Sequence, residues 1–309
     1  MFDMMKTRIN IQRLFTYTIL FCAIMATNFS AKAQSISPED MEKFHIMEDS
    51  MLITVDSMAE AFLPDTHIMY SERMVRQLVR TLKLNGSYYY PFSKLKDKIN
   101  IIYSDDDAFR IFNWSINTSE VTHRYYGAIQ MNQPTLKLYG LSDLSEEIVK
   151  GGQDSILTGG RWFGALYFKI LGHEVQGRKY YTLFGFSEEG IVSNKKLLDV
   201  LSFTDHGIEF GAPIFGLAST DIQNKPINRF ILEYKKGVHV SMNWDAEKQL
   251  IVFDDLASEV NDPNRKYTFV PTGQYNCFRW QGDNWTFIPN FMPVQILDDG
   301  QAPGGGEEK

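Results

Sequence analysis

The chain has 309 residues and a formal net charge of −7, with 38 acidic residues against 31 basic ones. Its longest basic runs are the pairs Lys195-Lys196 and Lys235-Lys236, which we interpret as solvated turn residues. Because binding to nucleic-acid phosphates requires clustered lysine and arginine, this composition argues against a nucleic acid as a partner.

The first 33 residues follow the three-part pattern of a secretory signal peptide. A basic segment precedes a 13-residue apolar run over 14–26, and small residues follow at Ala31 and Ala33. The run is too short for a membrane-crossing helix, which needs about 20 residues. We predict cleavage between Ala33 and Gln34, export to the periplasm or the cell exterior, and no stable membrane span in the mature protein. A retained amphipathic helix is the alternative.

Cleavage at this site determines the cysteine content of the mature protein. It removes Cys22 and leaves Cys277 as the single cysteine, so no intramolecular disulfide can form. Cys277 lies in the apolar segment QYNCFRW, and we interpret it as a buried small side chain rather than a nucleophile. The mature chain keeps 27 basic and 37 acidic residues and is therefore more acidic than the precursor.

Residues 34–86 are predicted to form a helical hairpin. Residues 37–63 carry apolar side chains at alternating spacings of three and four, with Ser37 as the N-cap. Pro64 is expected to end this helix, and a second helix is predicted over 71–84. The apolar stripe of the first helix is rich in methionine and is expected to cover the following sheet. A groove for a partner is the alternative.

From Ile99 onward the pattern changes to short aromatic and β-branched runs, which predict strands. No spacer before Phe291 has the length and apolar period of a crossover helix, so antiparallel sheets are expected. Residues 87–298 are therefore predicted to form a mainly β domain, an antiparallel β-sandwich or an irregular barrel, with a propeller-like β array as the alternative. The Gly-rich end, 299–309, is predicted to be disordered. The predicted strands cover 99–104, 109–114, 124–131, 161–170, 179–186, 228–234, 238–244 and 249–256.

Strict alternation allows one hairpin register to be predicted, between 228–234 and 238–244. A three-residue loop that ends at Gly237, in the left-handed conformation, sets the apolar faces of the two strands opposite each other. A two-residue turn would set Glu233 against Val240, so the longer loop is preferred. The predicted pairs are Tyr234 with Val238, Leu232 with Val240, and Phe230 with Met242.

Several motif tests bear on catalysis. His173-Glu174 begins like the helix of a zinc protease, but Gly177 stands where the second histidine would be. Two S-x-x-K matches, at 93–96 and 193–196, lack the S-D-N and K-T-G partners of penicillin-binding enzymes. The sequence has no P-loop, dinucleotide fingerprint or G-x-S-x-G motif. No catalytic, cofactor-binding or metal-binding residue is therefore predicted.

Acidic residues supply the remaining candidates for a site. Asp105, Asp106 and Asp107 lie between two predicted strands and could bind calcium, but a tight turn is favoured because aspartate bonds nearby backbone amides. Glycoside hydrolysis needs two carboxyls about 5–9.5 Å apart, and adjacent strand residues point to opposite faces. A catalytic pair would therefore combine separate strands, for example Glu188 with Asp254.

The strand motifs FRIFNW, RYYGAIQ, RWFGALYFKI, KYYTLFGF, NRFILEY and IVFDDL resemble those of a family of exported, uncharacterised β-rich proteins from Bacteroidetes bacteria. The resemblance covers roughly Ile99 to Trp285. It implies export and a β architecture. It implies no activity, because the shared motifs are structural strands without known catalytic residues.

Two functions are compatible with these observations. The first is an exported, non-catalytic binding or scaffold protein of the cell envelope, whose partner would be an envelope protein, a peptide or a glycan. The second is a secreted hydrolase that acts on glycan or peptide. Whether the protein is an enzyme stays open, although the missing motifs favour the binding protein. No cofactor is expected in either case.

Overall fold

The computed structural model is mainly β, with two α-helices ahead of the first strand, and this confirms the predicted fold class. The predicted signal peptide, the cleavage site between Ala33 and Gln34, and the Gly-rich end all lie outside the residues that the structure describes. The described residues are 36–119, 121–148, 152–188, 190–216 and 225–292.

Helix α1 (Pro38–Glu60) and helix α2 (Pro64–Leu82) form the predicted hairpin. Ser37 caps α1 as predicted, because its hydroxyl accepts a hydrogen bond from the Asp40 N–H at 3.1 Å. The second helix begins earlier than predicted, since Pro64 starts α2 instead of ending α1. Proline suits the first turn, where the N–H that it lacks would have no helical partner. No helix in the described residues is long and apolar enough to cross a membrane.

The part of the chain that the structure describes contains sixteen strands. The strands are β1 (Asn100–Tyr103), β2 (Phe109–Asn117), β3 (His123–Met131), β4 (Leu138–Asp143), β5 (Leu157–Thr158), β6 (Arg161–Trp162), β7 (Leu166–Val175), β8 (Arg178–Ser187), β9 (Ser193–Thr204), β10 (Gly207–Phe210), β11 (Phe215–Gly216), β12 (Phe230–Lys235), β13 (Met242–Asp245), β14 (Leu250–Ser258), β15 (Phe269–Trp280) and β16 (Trp285–Phe291).

The strands form three sheets. The first has the order β1-β2-β3-β4-β6, and the third has the order β11-β16-β15-β14-β13. The second has the order β5-β10-β9-β8-β7, and β12 also pairs with β9. Neighbours are antiparallel except for two short pairs, β4 with β6 and β11 with β16. The expectation of antiparallel sheets is therefore met, and none of the three sheets formed by the described residues closes into a barrel.

The helical hairpin and the three sheets stack as four layers. On β2, Phe112 packs against the helices and Ile111 packs against the second sheet. On β8, Leu183 packs toward the first sheet and Phe184 toward the third. Successive strand residues point to opposite faces, so a strand covered on both sides is apolar throughout. The methionine-rich stripe of α1 packs on the first sheet, as predicted.

The predicted hairpin between 228–234 and 238–244 does not form. Strand β12 pairs with β9 in the second sheet, and β13 pairs with β14 in the third. Gly237 does adopt the left-handed conformation, with φ +83°, and Phe230 and Met242 do share one apolar cluster. Alternation predicted the buried face correctly, but two strands in facing sheets can share a core without pairing.

The interpretation of Lys195-Lys196 as turn residues is wrong, because both lie in β9, at the centre of the second sheet. The Lys196 ammonium lies 5.1 Å from the ring centre of Phe168 and 5.5 Å from that of Phe186. The two rings attract the charge through their negative faces, and burial lowers the pKa of Lys196. A lysine can therefore occupy a central strand here.

Candidate binding clefts

The three consecutive aspartates form the tight turn between β1 and β2. Asp105 accepts a hydrogen bond at 2.9 Å from the N–H of Gly172 on β7. Asp107 accepts one at 2.9 Å from the hydroxyl of Tyr88, which follows the hairpin. In the described chain no group of three His, Cys, Asp or Glu side chains is placed to hold a metal ion. The aspartates therefore join this turn to neighbouring segments.

The acidic cleft is a depression of about 310 Å³ that includes Asp105, Asp106, Glu174, Lys179 and Tyr181. Asp106 Oδ2 accepts hydrogen bonds from the Lys179 ammonium at 2.6 Å and the Tyr181 hydroxyl at 3.0 Å. Burial opposes ionisation of Asp106, but the hydrogen bonds that it accepts outweigh this and lower its pKa. Two of the three carboxylates are thus engaged by protein donors, and the cleft serves mainly as a junction between sheets.

His173 follows Gly172 on β7, but its side chain lies on the opposite face of the strand. Its ring stacks on Trp280, with centroids 4.2 Å apart, and meets Trp285 edge-on at 5.0 Å. Its Nε2 atom is buried and has no hydrogen-bond partner in the described residues. Burial lowers the pKa of His173 to about 4. The imidazole therefore packs as a neutral aromatic ring.

We expect His173 to make the protein less stable as the pH falls from about 6.5 to about 4. In the unfolded chain the pKa of histidine is 6.5, whereas in the folded chain that of His173 is about 4. The unfolded state therefore binds more protons within this window, and the contribution of the neutral ring is complete only above pH 6.5. The loss should be on the order of 2 kcal/mol.

His173→Phe tests this expectation because it keeps a stacked ring without a titrating group. Its free energy of unfolding, measured by urea denaturation, should change less between pH 4 and 6.5 than that of the unmodified protein. His206→Gln, in an exposed turn, controls for the loss of a histidine. Equal pH dependence in the unmodified protein and His173→Phe would contradict the assignment.

The S-x-x-K match at 193–196 lies on β9, where residues three apart point to opposite faces. The Ser193 hydroxyl donates to Glu233 at 2.6 Å, while Lys196 lies against two phenylalanine rings. In the second match, at 93–96, Ser93 is exposed in a turn and Lys96 is exposed in a 3₁₀ helix. Neither match places a lysine to activate its serine.

The two acids considered for a hydrolase, Glu188 and Asp254, belong to different sheets. Glu188 follows β8, and its carboxylate lies 3.8 Å from His123. Asp254 on β14 is 9% exposed and accepts hydrogen bonds from the Ser241 N–H at 2.6 Å and hydroxyl at 3.0 Å. Neither residue lines the acidic cleft.

A second cleft, which we call the hairpin cleft, opens where the end of α1 and the start of α2 meet β2. Its volume is about 300 Å³. Apolar side chains are supplied by Val55 and Met58 of α1 and by Leu166 of β7. Residues 114–117 of β2 form a further wall, and Lys98 lies at the rim. Its apolar surface and few charges distinguish it from the acidic cleft.

The wall formed by β2 is a strand edge that no described strand pairs. Strand β1 pairs with β2 only as far as Asn100, which lies opposite Asn113. Strand β2 continues to Asn117 and is paired there with β3 on its other side. The predicted strand ended at Trp114, so sequence reasoning missed this extension. We call residues 114–117, on the side facing the cleft, the free edge of β2.

Two hydrogen bonds establish which backbone groups face the cleft. The Phe109 carbonyl accepts a bond from the Ser104 N–H at 2.9 Å, on the β1 side. The Thr118 N–H donates to the Thr122 carbonyl at 2.9 Å, on the β3 side. In an antiparallel ladder alternate residues face the same neighbour. Odd-numbered residues of β2 therefore direct their N–H and C=O groups toward the β1 side.

Ser115 and Asn117 consequently direct their backbone N–H and C=O groups into the hairpin cleft. These groups have no hydrogen-bond partner in the described residues. Continuing the β1 register would place Lys98 opposite Ser115. The Lys98 N–H instead donates to the Leu95 carbonyl at 2.9 Å, at the end of a 3₁₀ helix. The cleft thus lies where β1 would otherwise continue.

No family model, curated protein or solved structure matches the chain. The resemblance to exported β-rich proteins of Bacteroidetes therefore stays a prediction.

Proposed function

We propose that the mature chain is an exported, non-catalytic binding protein of the cell envelope and that the hairpin cleft is its binding site. The observation that carries the proposal is the free edge of β2, where Ser115 and Asn117 direct backbone groups that no described residue pairs into a cleft with apolar walls. Backbone N–H and C=O groups are obligatory hydrogen-bonding groups, so a ligand that pairs them as it excludes water is favoured.

The carboxylates support binding over hydrolysis as the function. A carboxyl group that acts as a general acid or a nucleophile must be available to the substrate. The carboxylates of Asp105, Asp106 and Asp254 each accept hydrogen bonds from protein N–H or O–H groups. These acids stabilise turns and join sheets, and none of the described residues that line the hairpin cleft carries a carboxylate.

The binding proposal is tested by filling the cleft. Ala59 is exposed and lines the hairpin cleft, so Ala59→Trp should block it. Ala246 is exposed in the turn after β13, and Ala246→Trp is the matched control. On arrays of immobilised pentapeptides and glycans, the unmodified protein and Ala246→Trp should bind the same features, and Ala59→Trp should bind them at least tenfold more weakly. Binding that Ala59→Trp leaves unchanged, or no binding, would refute the proposal.

Export predicts one thiol per chain in the native protein. Unfolded protein purified from the envelope should take up one maleimide, at Cys277, whereas a chain that retains Cys22 would take up two. Folded protein should react slowly, because Cys277 is fully buried and burial raises the pKa of its thiol. Mass spectrometry should place Gln34 at the N-terminus, and an intact Met1 would contradict export.

A further inference from the structure

The geometry points to an extended peptide as the ligand of the hairpin cleft, added as a strand to the free edge of β2. This inference rests on the proposed function, since it identifies the ligand class of the same site. Strand addition is a general mode of peptide recognition in which main-chain hydrogen bonds provide affinity and side-chain pockets provide specificity.

The backbone groups of the free edge are placed to form hydrogen bonds with an added β-strand. Ser115 and Asn117 each present one N–H and one C=O on the same side of β2. An antiparallel strand exchanges both bonds with each such residue, at an interstrand spacing of about 4.8 Å. Three peptide residues, which span about 10 Å at 3.4 Å per residue, can therefore satisfy all four groups. The added strand would extend the line of β1.

The two faces of the cleft define a side-chain pattern for the peptide. Directly opposite residues of paired strands share a face. The peptide residue opposite Ile116 would therefore point toward Val55 and Met58, which belong to the same apolar cluster as Ile116. Its two neighbours, opposite Ser115 and Asn117, would point to the other, more polar face. The expected motif is polar–apolar–polar, with a β-branched central residue preferred in a strand.

A glycan is less well matched to the same cleft. Sugar rings are commonly bound by stacking on an exposed aromatic face. Trp114 is the aromatic residue of the cleft, but it is only 4% exposed. Its ring stacks on Tyr126 with centroids 5.8 Å apart, and its Nε1–H donates to the Ser71 hydroxyl at 2.9 Å. Its ring therefore packs in the core between the helices and the first sheet and does not offer a face to a sugar.

The experiment separates backbone recognition from side-chain recognition at one position. Ser115→Pro removes an N–H that faces the cleft and takes no part in the ladder with β3, and proline is tolerated at such edge positions. Ser115→Ala removes only the hydroxyl and is the matched control. The probe is the pentapeptide acetyl-Ser-Thr-Val-Thr-Ser-amide, with a fluorescent label, titrated by fluorescence anisotropy.

We expect Ser115→Pro to weaken binding of this probe at least tenfold and Ser115→Ala to change it less than twofold. A probe N-methylated at the two threonine amides should also lose at least tenfold on the unmodified protein. This second measurement keeps the inference testable if Ser115→Pro proves unstable in thermal unfolding. Bound peptide should also slow hydrogen exchange at the N–H groups of Ser115 and Asn117.

The other outcomes discriminate between the inference and the function on which it rests. If Ala59→Trp abolishes glycan binding and the peptide does not bind, the cleft is a binding site but strand addition is wrong. Equal losses in Ser115→Ala and Ser115→Pro would also overturn strand addition. Self-association in light scattering that Ser115→Pro abolishes would identify a second copy as the occupant and contradict the peptide. If no ligand depends on the cleft, the proposed function fails as well.

Discussion

Asp199→Ala should lower the free energy of unfolding by about 3–5 kcal/mol, because it leaves a buried arginine without its counter-charge. Asp199 on β9 and Arg229, just before β12, have fully buried side chains, and Arg229 Nε lies 2.9 Å from Asp199 Oδ2. The contact is an ion pair rather than a well-aligned hydrogen bond. Tyr167 also donates to Asp199 at 3.2 Å. Urea denaturation at neutral pH measures the loss.

The double variant Asp199→Leu, Arg229→Met distinguishes the cost of losing the ion pair from the cost of leaving one buried charge unpaired. Replacing both charges with apolar groups of similar size removes the uncompensated charge, so the double variant should be more stable than Asp199→Ala. Lys235→Ala breaks the exposed ion pair with Glu259, 2.7 Å long, and should change stability little. If Asp199→Ala is as mild as Lys235→Ala, the buried pair does not hold β9 against β12.

The buried pair of Asp199 and Arg229 helps to explain why the sequence alone did not predict β9, the central strand of the second sheet. Strand β9 has the sequence SNKKLLDVLSFT, in which lysine, asparagine and aspartate are all poor strand formers. The charges of Lys196 and Asp199 are accommodated by Phe168 and Arg229, each about 30 residues away along the chain. A local pattern contains neither partner, which is why the pair Lys195-Lys196 indicates solvated turn residues when the sequence is considered alone.

Local signals did predict the features that depend only on neighbouring residues. The cap at Ser37 and the apolar stripe of α1 follow from short-range spacing, and both are present. The turn at 105–107 follows from the preference of aspartate for backbone amides. Strand pairing depends on contacts distant in sequence, and the pairing between 228–234 and 238–244 was accordingly wrong.

The hairpin cleft could not be predicted for a related reason. It exists because β1 starts at Asn100, whereas β2 runs on to Asn117. The start of β1 is set by the 3₁₀ helix Leu95–Asp97 and by the ion pair of Lys98 with Asp56 at 2.7 Å. A difference in the lengths of two paired strands leaves no periodic signal in either of them. The free edge therefore becomes visible only once the register is known.

Arg110→Lys should lower the free energy of unfolding by about 2–4 kcal/mol although it preserves the charge. Arg110 on β2 is fully buried. Its guanidinium carbon lies 5.0 Å from the ring centre of Phe92 and 4.7 Å from that of Phe112. Burial lowers the pKa of Arg110. Its N–H groups donate to Gln130 Oε1 at 2.9 Å, the Tyr90 carbonyl at 2.8 Å, the Tyr103 hydroxyl at 2.8 Å and the Ser87 carbonyl at 2.6 Å.

A lysine at this position cannot replace the planar guanidinium. An ammonium has three donors around one nitrogen, so it cannot reach four acceptors spread around a guanidinium. At least one buried acceptor would lose its partner, and each such loss costs about 1–3 kcal/mol. The segment after the hairpin, which contains Ser87 and Tyr90, would then be held less firmly against the first sheet.

Arg178→Lys provides the matched control for this prediction. Arg178 is the first residue of β8. Like Arg110, it lies over an aromatic ring, with its guanidinium carbon 5.0 Å from the centre of Tyr180. It is exposed, however, and its charged partner Glu209 is partly exposed and can be hydrated when a bond is lost. Thermal and urea unfolding should therefore show a much larger loss for Arg110→Lys than for Arg178→Lys. Equal losses would mean that the four acceptors around Arg110 find water or other donors when the guanidinium is removed.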